Sequence, residues 1–78
     1  MEKQKIKEVV FEAIDKLFET KIDLNETFNE RGVDSLDRLQ LLIEVERQLD
    51  TEISDSVLDP TNLTVEVLID LIHKDING

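Results

Sequence analysis

Apolar residues recur at helical spacing in three stretches of this chain, and this periodicity restricts the fold more than any other feature. In the first stretch they follow the i, i+3, i+4, i+7 pattern, which predicts an amphipathic helix from about residue 3 to residue 18. The residues of that pattern are Ile6, Val9, Val10, Ala13, Ile14, Leu17 and Phe18. The second stretch predicts a helix from Ser35 or Leu36 to Leu49.

The last stretch, from Leu63 to Ile76, is open to two interpretations. Its first half alternates apolar and polar residues, as a strand would. Over its full length the apolar residues instead keep the spacing of a helix, and Thr64 is a suitable N-cap. The residues of that helical set are Val65, Leu68, Ile69, Ile72 and Ile76. Because the chain offers no second strand for pairing, we expect a helix here and an all-α fold.

The segments between these helices carry structural signals of their own. Residues 19 to 33 lack periodicity, but four apolar side chains recur there and are expected to pin the segment onto the core: Ile22, Leu24, Phe28 and Val33. Gly32 supplies backbone freedom just before the second helix. The run from Ser54 to Asp59 predicts one short helical turn with Ser54 as N-cap, ended by Pro60. We therefore expect a small four-helix bundle, with three main helices, one short helix and a long loop between helices 1 and 2.

Length, charge and cysteine content limit the classes of function. A chain of 78 residues forms one domain, residues 1–78, with one thin core and no deep active-site cavity. Its net charge of -10 repels nucleic acids and anionic membrane surfaces, so we expect partners with basic patches. The lack of cysteine excludes disulfides, thiolate nucleophiles and thiolate metal sites. Neither a transmembrane run nor a signal-peptide pattern occurs, so we expect a mature cytoplasmic protein.

A serine lies where a loop becomes a helix, in the run Gly-Val-Asp-Ser-Leu at residues 32–36. A serine nucleophile needs a base, but the only histidine is His73 near the end of the chain, and the G-x-S-x-G motif is absent. Catalysis by Ser35 is therefore not expected. Two roles remain open. Either Ser35 or Asp34 caps the second helix, or Ser35 accepts a phosphate ester, which a helix N-terminus stabilises by about 0.3 to 1 kcal/mol.

The carboxylates that follow the second helix do not form a calcium loop. That loop requires a D-x-[DN]-x-[DN]-G order with a terminal glutamate. No glycine occurs among the acidic residues in question, which are Asp50, Glu52, Asp55 and Asp59. We expect these side chains to form a solvated acidic surface, without a resident metal ion.

The second helix has an apolar arc wider than one neighbouring helix needs. At about 100° per residue, a polar side and a core-facing side lie opposite each other. The polar side contains Asp37, Gln40, Glu44, Arg47 and Gln48, and the core-facing side contains Leu41, Leu42, Val45 and Leu49. Leu36, Leu39 and Ile43 lie along one border between them. Either several neighbours pack around this helix, or the three border residues bind a partner.

The run from Gly32 to Asp37, continued through residues 41–46 and 49–53, resembles the acyl carrier protein family around its Asp-Ser-Leu attachment site. The likeness extends over most of the chain and includes the order of the helices and the Thr-Val start of the last one. It implies that a Mg²⁺-dependent transferase esterifies Ser35 with 4'-phosphopantetheine from coenzyme A, with Asp34 near the metal. Acyl groups then travel as thioesters between enzymes of fatty-acid synthesis or of a specialised polyketide, lipid or aminoacyl pathway.

The resemblance also implies roles for the helices. The bundle shelters the acyl chain, and the candidate lining residues are Leu41, Val45, Leu49, Ile53, Leu58, Leu68 and Ile72. Partner enzymes read the second helix with Lys and Arg, and the candidate recognition residues are Leu36, Asp37, Leu39, Gln40, Ile43, Glu44, Glu46 and Arg47.

Several positions of the second helix depart from the family pattern. Fatty-acid carriers often have glutamate where this chain has Gln40, Arg47 and Gln48, and a small residue where it has Glu44. Arg38 adds a second positive charge. Because charge complementarity sets partner choice, these departures favour a dedicated set of partners for a monomeric carrier. The alternative is an unmodified acidic helical module that binds other proteins.

Overall fold

The computed structural model describes all residues, 1–78, as three α-helices and two short 3₁₀ turns. The helices are α1 (Lys3–Leu17), α2 (Ser35–Leu49) and α3 (Val65–Asn77). The first 3₁₀ turn is Asn29–Arg31 and the second 3₁₀ turn is Asp55–Leu58. No strand is present, and the only β-type pairing is an isolated bridge between Thr27 and Thr64. The all-α prediction is confirmed, and the ambiguous last stretch is a helix.

One apolar core holds these elements together. Nineteen residues are buried, all of them are apolar, and they form a single cluster. Helix α1 packs against both α2 and α3, and the second 3₁₀ turn also packs against both. The backbones of α2 and α3 do not approach each other closely. Side chains from both helices therefore fill the space between them, with α1 on one side and the second 3₁₀ turn on the other.

The long loop before α2 is fixed by its apolar side chains and by hydrogen bonds. Ile22, Phe28 and Val33 are buried, and Leu24 packs against the core from a half-buried position, as the sequence predicts. The amide of Phe28 donates to the carbonyl of Leu63 at 3.1 Å, so this loop is joined to the segment before α3. Gly32 has a φ of 73°, the left-handed conformation that glycine adopts without steric cost.

Side-chain caps define where three elements begin. Asp34 caps α2, Thr64 caps α3 and Ser54 caps the second 3₁₀ turn, each by accepting a hydrogen bond from a backbone N–H. The predicted caps Thr64 and Ser54 are confirmed. Helix α2 ends at Leu49, and its C-cap residue Asp50 has a φ of 52° in the left-handed region. No helix in the structure has the length and apolar character required to cross a membrane.

Candidate functional site

Ser35 is the first residue of α2 and is exposed to solvent. The amide of Asp37 donates to Oδ1 of Asp34 at 2.9 Å, so Asp34 is the residue that caps the helix. The hydroxyl of Ser35 makes no hydrogen bond to the protein. The capping role that the sequence left open between these two residues therefore belongs to Asp34, and the Ser35 hydroxyl remains accessible for modification.

The backbone immediately before Ser35 is held by a side chain that comes after it. Nη1 of Arg38 donates to the carbonyl oxygen of Val33 at 3.0 Å and to Oδ1 of Asn29 at 3.1 Å. The amide of Val33 donates to the carbonyl of Phe28 at 3.0 Å, and the Val33 side chain is buried. These contacts fix the position of the loop relative to α2 and thereby the position of Ser35.

The sequence pattern indicated only that Arg38 adds a positive charge to the second helix. Its actual contacts are internal, and its side chain is half-buried. A local pattern does not reveal this role, because the partner carbonyl of Val33 depends on the path of the loop and not on residue type. Arg38 is thus a positioning residue for the Ser35 segment that the sequence alone did not identify.

His73 and Ser35 are not brought together as a nucleophile and base. The backbone carbonyl of His73 accepts a hydrogen bond from the side-chain amide of Asn77 at 2.9 Å, and the imidazole makes no hydrogen bond to Ser35. The hydroxyl of Ser35 also has no other base as a hydrogen-bond partner. The structure holds no group of three or more His, Cys, Asp or Glu side chains arranged to bind a metal ion.

The border residues of α2 lie outside the core. Leu36 is 63% exposed, Ile43 is 55% exposed and Leu39 is 36% exposed. Packing by several neighbouring helices is therefore the wrong interpretation for these three side chains. Together with exposed Gln40 they form a mainly apolar surface beside Ser35, which we call the α2 stripe: Leu36, Leu39, Gln40 and Ile43. A face of this kind on a small protein is typical of a binding surface.

Glu44, a candidate recognition residue, is engaged within the molecule. Its carboxylate accepts from Arg47 Nη2 at 2.5 Å and from Gln48 Nε2 at 2.8 Å, and it pairs with Lys16 of α1 at 3.2 Å. The Arg47 and Gln48 hydrogen bonds outweigh the cost of partial burial and lower the pKa of Glu44 to about 2. Glu44 therefore joins α1 to α2 as an ionised carboxylate, and its side chain is only 12% exposed.

Glu46, another candidate recognition residue, also has an internal partner. Its Oε2 accepts from the backbone amide of Ile53 at 2.9 Å. This contact holds the segment that follows α2 against the helix. Asp37, by contrast, uses only its backbone amide in the cap, so its carboxylate remains available on the same surface as Ser35.

The candidate acyl-lining residues all belong to the single core. Leu58 is half-buried against the core, and the other six are buried. None of the four surface cavities of the protein is lined by any of these seven residues. In this structure they pack as core between α2, α3 and the second 3₁₀ turn.

Comparisons with known proteins found matches over most of the chain. The family model described as phosphopantetheine attachment site matches residues 4–72. The chain is 38% identical over 72 residues to the acyl carrier protein of Buchnera aphidicola subsp. Acyrthosiphon pisum, strains Tuc7 and APS. That alignment covers 91% of this chain and 88% of each relative. The acyl carrier protein of strain 5A is 37% identical over the same length. No solved structure matches the chain.

Proposed function

Because the chain belongs to the acyl carrier protein family, we propose that Ser35 is the residue to which its 4'-phosphopantetheine arm is attached. Members of this family are carriers and not catalysts, and they hold acyl groups by means of this arm. The observation that carries the proposal for Ser35 is its hydroxyl, which is exposed at the start of α2 and released from capping by Asp34.

The surroundings of Ser35 suit a phosphodiester. Unpaired amides and the peptide dipoles at the N-terminus of α2 stabilise an anion there by about 0.3 to 1 kcal/mol. We propose that Asp34 also contacts the Mg²⁺ of the transferase, since Oδ1 serves the cap and its second oxygen has no partner in the protein. The arm supplies a terminal thiol that this chain, which has no cysteine, otherwise lacks.

We further propose how the loaded carrier meets its enzymes. The α2 stripe and the carboxylate of Asp37 lie next to Ser35, so an enzyme that receives the arm also contacts them. The acyl chain is sheltered among the seven candidate lining residues between α2 and α3. We expect the protein to act as a cytoplasmic monomer in fatty-acid synthesis or in a specialised polyketide, lipid or aminoacyl pathway.

The attachment site is tested by loading the purified protein with coenzyme A, Mg²⁺ and a promiscuous phosphopantetheinyl transferase, followed by intact-mass measurement. We expect one phosphopantetheine increment in the wild type and none in Ser35→Ala. The matched control is Ser54→Ala, because Ser54 is also exposed at the start of a helical turn. An increment that persists in Ser35→Ala, or its absence from the wild type, would refute the proposal.

The two roles of Asp34 are separated by two substitutions. Asparagine caps helices about as well as aspartate, whereas alanine costs about 1 kcal/mol at this position. We expect Asp34→Asn to retain the free energy of unfolding but to slow phosphopantetheinylation, because the carboxylate near Mg²⁺ is lost. Asp34→Ala loses both. A rate of modification that is unchanged in Asp34→Asn would restrict Asp34 to capping.

A further inference from the structure

The one charge among the fully exposed residues of α2 is positive, opposite in sign to the net charge of the protein. Six residues of α2 are exposed, namely Ser35, Leu36, Leu39, Gln40, Ile43 and Arg47. Arg47 is the only charged residue among them, and it is a cation in a chain whose net charge is -10. A partner that lies along the α2 stripe therefore meets a positive charge at the far end.

Within the group formed by Lys16, Glu44 and Arg47, the carboxylate is covered and the two cations are exposed. Beyond this group, three acidic residues line a surface cavity with Arg47: Glu46, Asp50 and Glu52. Glu44 is 12% exposed, whereas the side chains of its two partners, Lys16 and Arg47, are 56% and 62% exposed. Two cations share one carboxylate, so this cluster, the Lys16–Glu44–Arg47 triad, has a net charge of +1. The low pKa of Glu44 means that the triad keeps this composition at neutral pH.

Arg47 retains donors for a second carboxylate. Its Nε and Nη2 donate to Glu44 at 3.3 and 2.5 Å, and Nη1 makes no hydrogen bond to the protein. A guanidinium has five N–H donors, so one of its edges is available to a planar anion from outside. The ammonium group of Lys16 lies on the same carboxylate and adds to the positive field.

We propose that the acyl-processing enzymes of this carrier place an aspartate or glutamate side chain opposite the Lys16–Glu44–Arg47 triad. The inference rests on the proposed carrier function. It adds an acidic residue of the enzyme to the basic residues of the enzyme that are expected opposite Asp34 and Asp37. Arg47 follows Ser35 by 12 positions, which corresponds to roughly 18 Å along the helix axis. The enzyme therefore presents its carboxylate roughly 18 Å from the opening that receives the arm.

The occupant is a protein carboxylate because the remaining surface disfavours other anions. With a net charge of -10, the molecule as a whole repels nucleic acids and anionic lipid surfaces, which carry extended negative charge. A single carboxylate within an otherwise basic or apolar enzyme surface can pair with the triad, and such a surface is not repelled by the net negative charge of the protein. A lysine or arginine placed directly opposite Arg47 is repelled, whereas Glu46, Asp50 and Glu52, which line the same surface cavity as Arg47, attract basic groups beside that position.

The test uses the phosphopantetheinylated protein and the acyl-loading enzyme of the same organism. Kinetics of acyl loading are measured for wild type, Arg47→Glu, Arg47→Gln and Lys5→Glu. Lys5 is the matched control, since it is an exposed cation of α1 without an ion pair, and its reversal changes the net charge equally. We expect Arg47→Glu to raise KM about tenfold with little change in kcat, Arg47→Gln to have a smaller effect in the same direction, and Lys5→Glu to have none.

Several results would overturn the inference. An unchanged or lowered KM in both Arg47 variants, or an equal increase in Lys5→Glu, contradicts it. A charge reversal of the enzyme's acidic residue roughly 18 Å from its active-site opening is expected to restore the KM of Arg47→Glu. Binding to phosphatidylglycerol vesicles that Arg47→Glu abolishes would assign the triad to a membrane instead. Intact mass confirms the arm in every variant beforehand, so a failure of the proposed function is seen separately as absence of the arm.

Discussion

The segments on either side of α2 contain similar structural elements, but they are held to the rest of the protein by different hydrogen bonds. Each contains one 3₁₀ turn and one residue in the left-handed region, Gly32 before α2 and Asp50 after it. Before α2, the helix donates to the loop through Arg38, whose acceptors are a carbonyl and an amide oxygen. After α2, the helix accepts from the loop through Glu46, and Asp75 of α3 accepts from the amide of Ser54 at 3.0 Å.

This difference shows that the two sets of hydrogen bonds stabilise different regions of the protein. Before α2, the contacts of Arg38 converge on the residues that precede Ser35 and fix their position, while Leu24 and Phe28 join the loop to the start of α3. The contacts after α2 reach two helices, and therefore hold the second 3₁₀ turn between α2 and α3. The variants below test that division of roles, and they are ordered by the size of the expected effect.

Loss of Phe28 is expected to have the largest effect. Phe28 is fully buried, so Phe28→Ala removes a large side chain from the segment before α2 and should lower the free energy of unfolding by about 3–5 kcal/mol. In the other segment Ile53 is 5% exposed, and Ile53→Ala, which removes a smaller side chain, should cost about 2–5 kcal/mol. Urea denaturation measures both. A larger loss for Ile53→Ala would show that the segment after α2 is the more important anchor.

Removal of the Arg38 guanidinium tests the hydrogen bonds that α2 donates to the segment before it. Arg38→Gln leaves the half-buried carbonyl of Val33 without its donor, which should cost about 1–3 kcal/mol. The matched control is Arg31→Gln, because Arg31 forms a more exposed ion pair with Glu26 whose loss costs about 0–1 kcal/mol. Hydrogen exchange at residues 33–36 should accelerate in Arg38→Gln only. Equal exchange in the two variants would contradict the positioning role of Arg38.

The two left-handed residues should respond to substitution with opposite signs. Space is available for a Cβ at Gly32, but its φ of 73° disfavours any other residue, so Gly32→Ala should destabilise the protein by about 1–2 kcal/mol. The wild-type protein already contains the steric cost of the left-handed conformation at Asp50, whose φ is 52°. Asp50→Gly removes this cost and should increase stability by less than about 1 kcal/mol. Thermal unfolding compares the two. A loss of stability in Asp50→Gly would mean that its carboxylate contributes more than its backbone conformation costs.

Acid should weaken the second half of α2 through Glu44. The pKa of Glu44 is lowered to about 2 in the folded state, from an ordinary value of 4.5, by hydrogen bonds from Arg47 first and then Gln48. Its stabilising contribution is therefore complete above about pH 4.5 and is lost as the pH falls towards 2. The difference in unfolding free energy between wild type and Glu44→Gln should shrink over that range. A constant difference would show that Glu44 does not titrate with folding.

Much of the fold follows from local pattern. The ends of α1 and α2 match the spacing of their apolar residues to within a residue, and Gly32 marks the turn before α2. The pattern at the start of α3 is ambiguous, because apolar and polar residues alternate there as in a strand. The lack of a second strand to pair with favours a helix. Such features depend on neighbours in sequence, which a single chain displays directly.

The features that the sequence pattern did not predict depend on residues that are close in space but distant in sequence. The first 3₁₀ turn has no periodic signal, and its position reflects the pairing of Phe28 with Leu63. Glu44 pairs with Lys16, 28 positions away, so helical spacing alone assigned it to the surface. Periodicity also placed Leu36 on a border of α2 but could not show that no other element covers it.

The backbones of α2 and α3 lie apart, and this separation has a mechanical consequence. Helix α1 packs against both of them, and the second 3₁₀ turn is the other helical element that packs against both. That turn is four residues long, and it covers the core with the side chain of Val57. The turn has no close backbone contact with α1, so a displacement of the turn would leave the contacts of α1 with both helices in place. Substitutions in this one short turn therefore alter one boundary of the interior without changing the packing of α1.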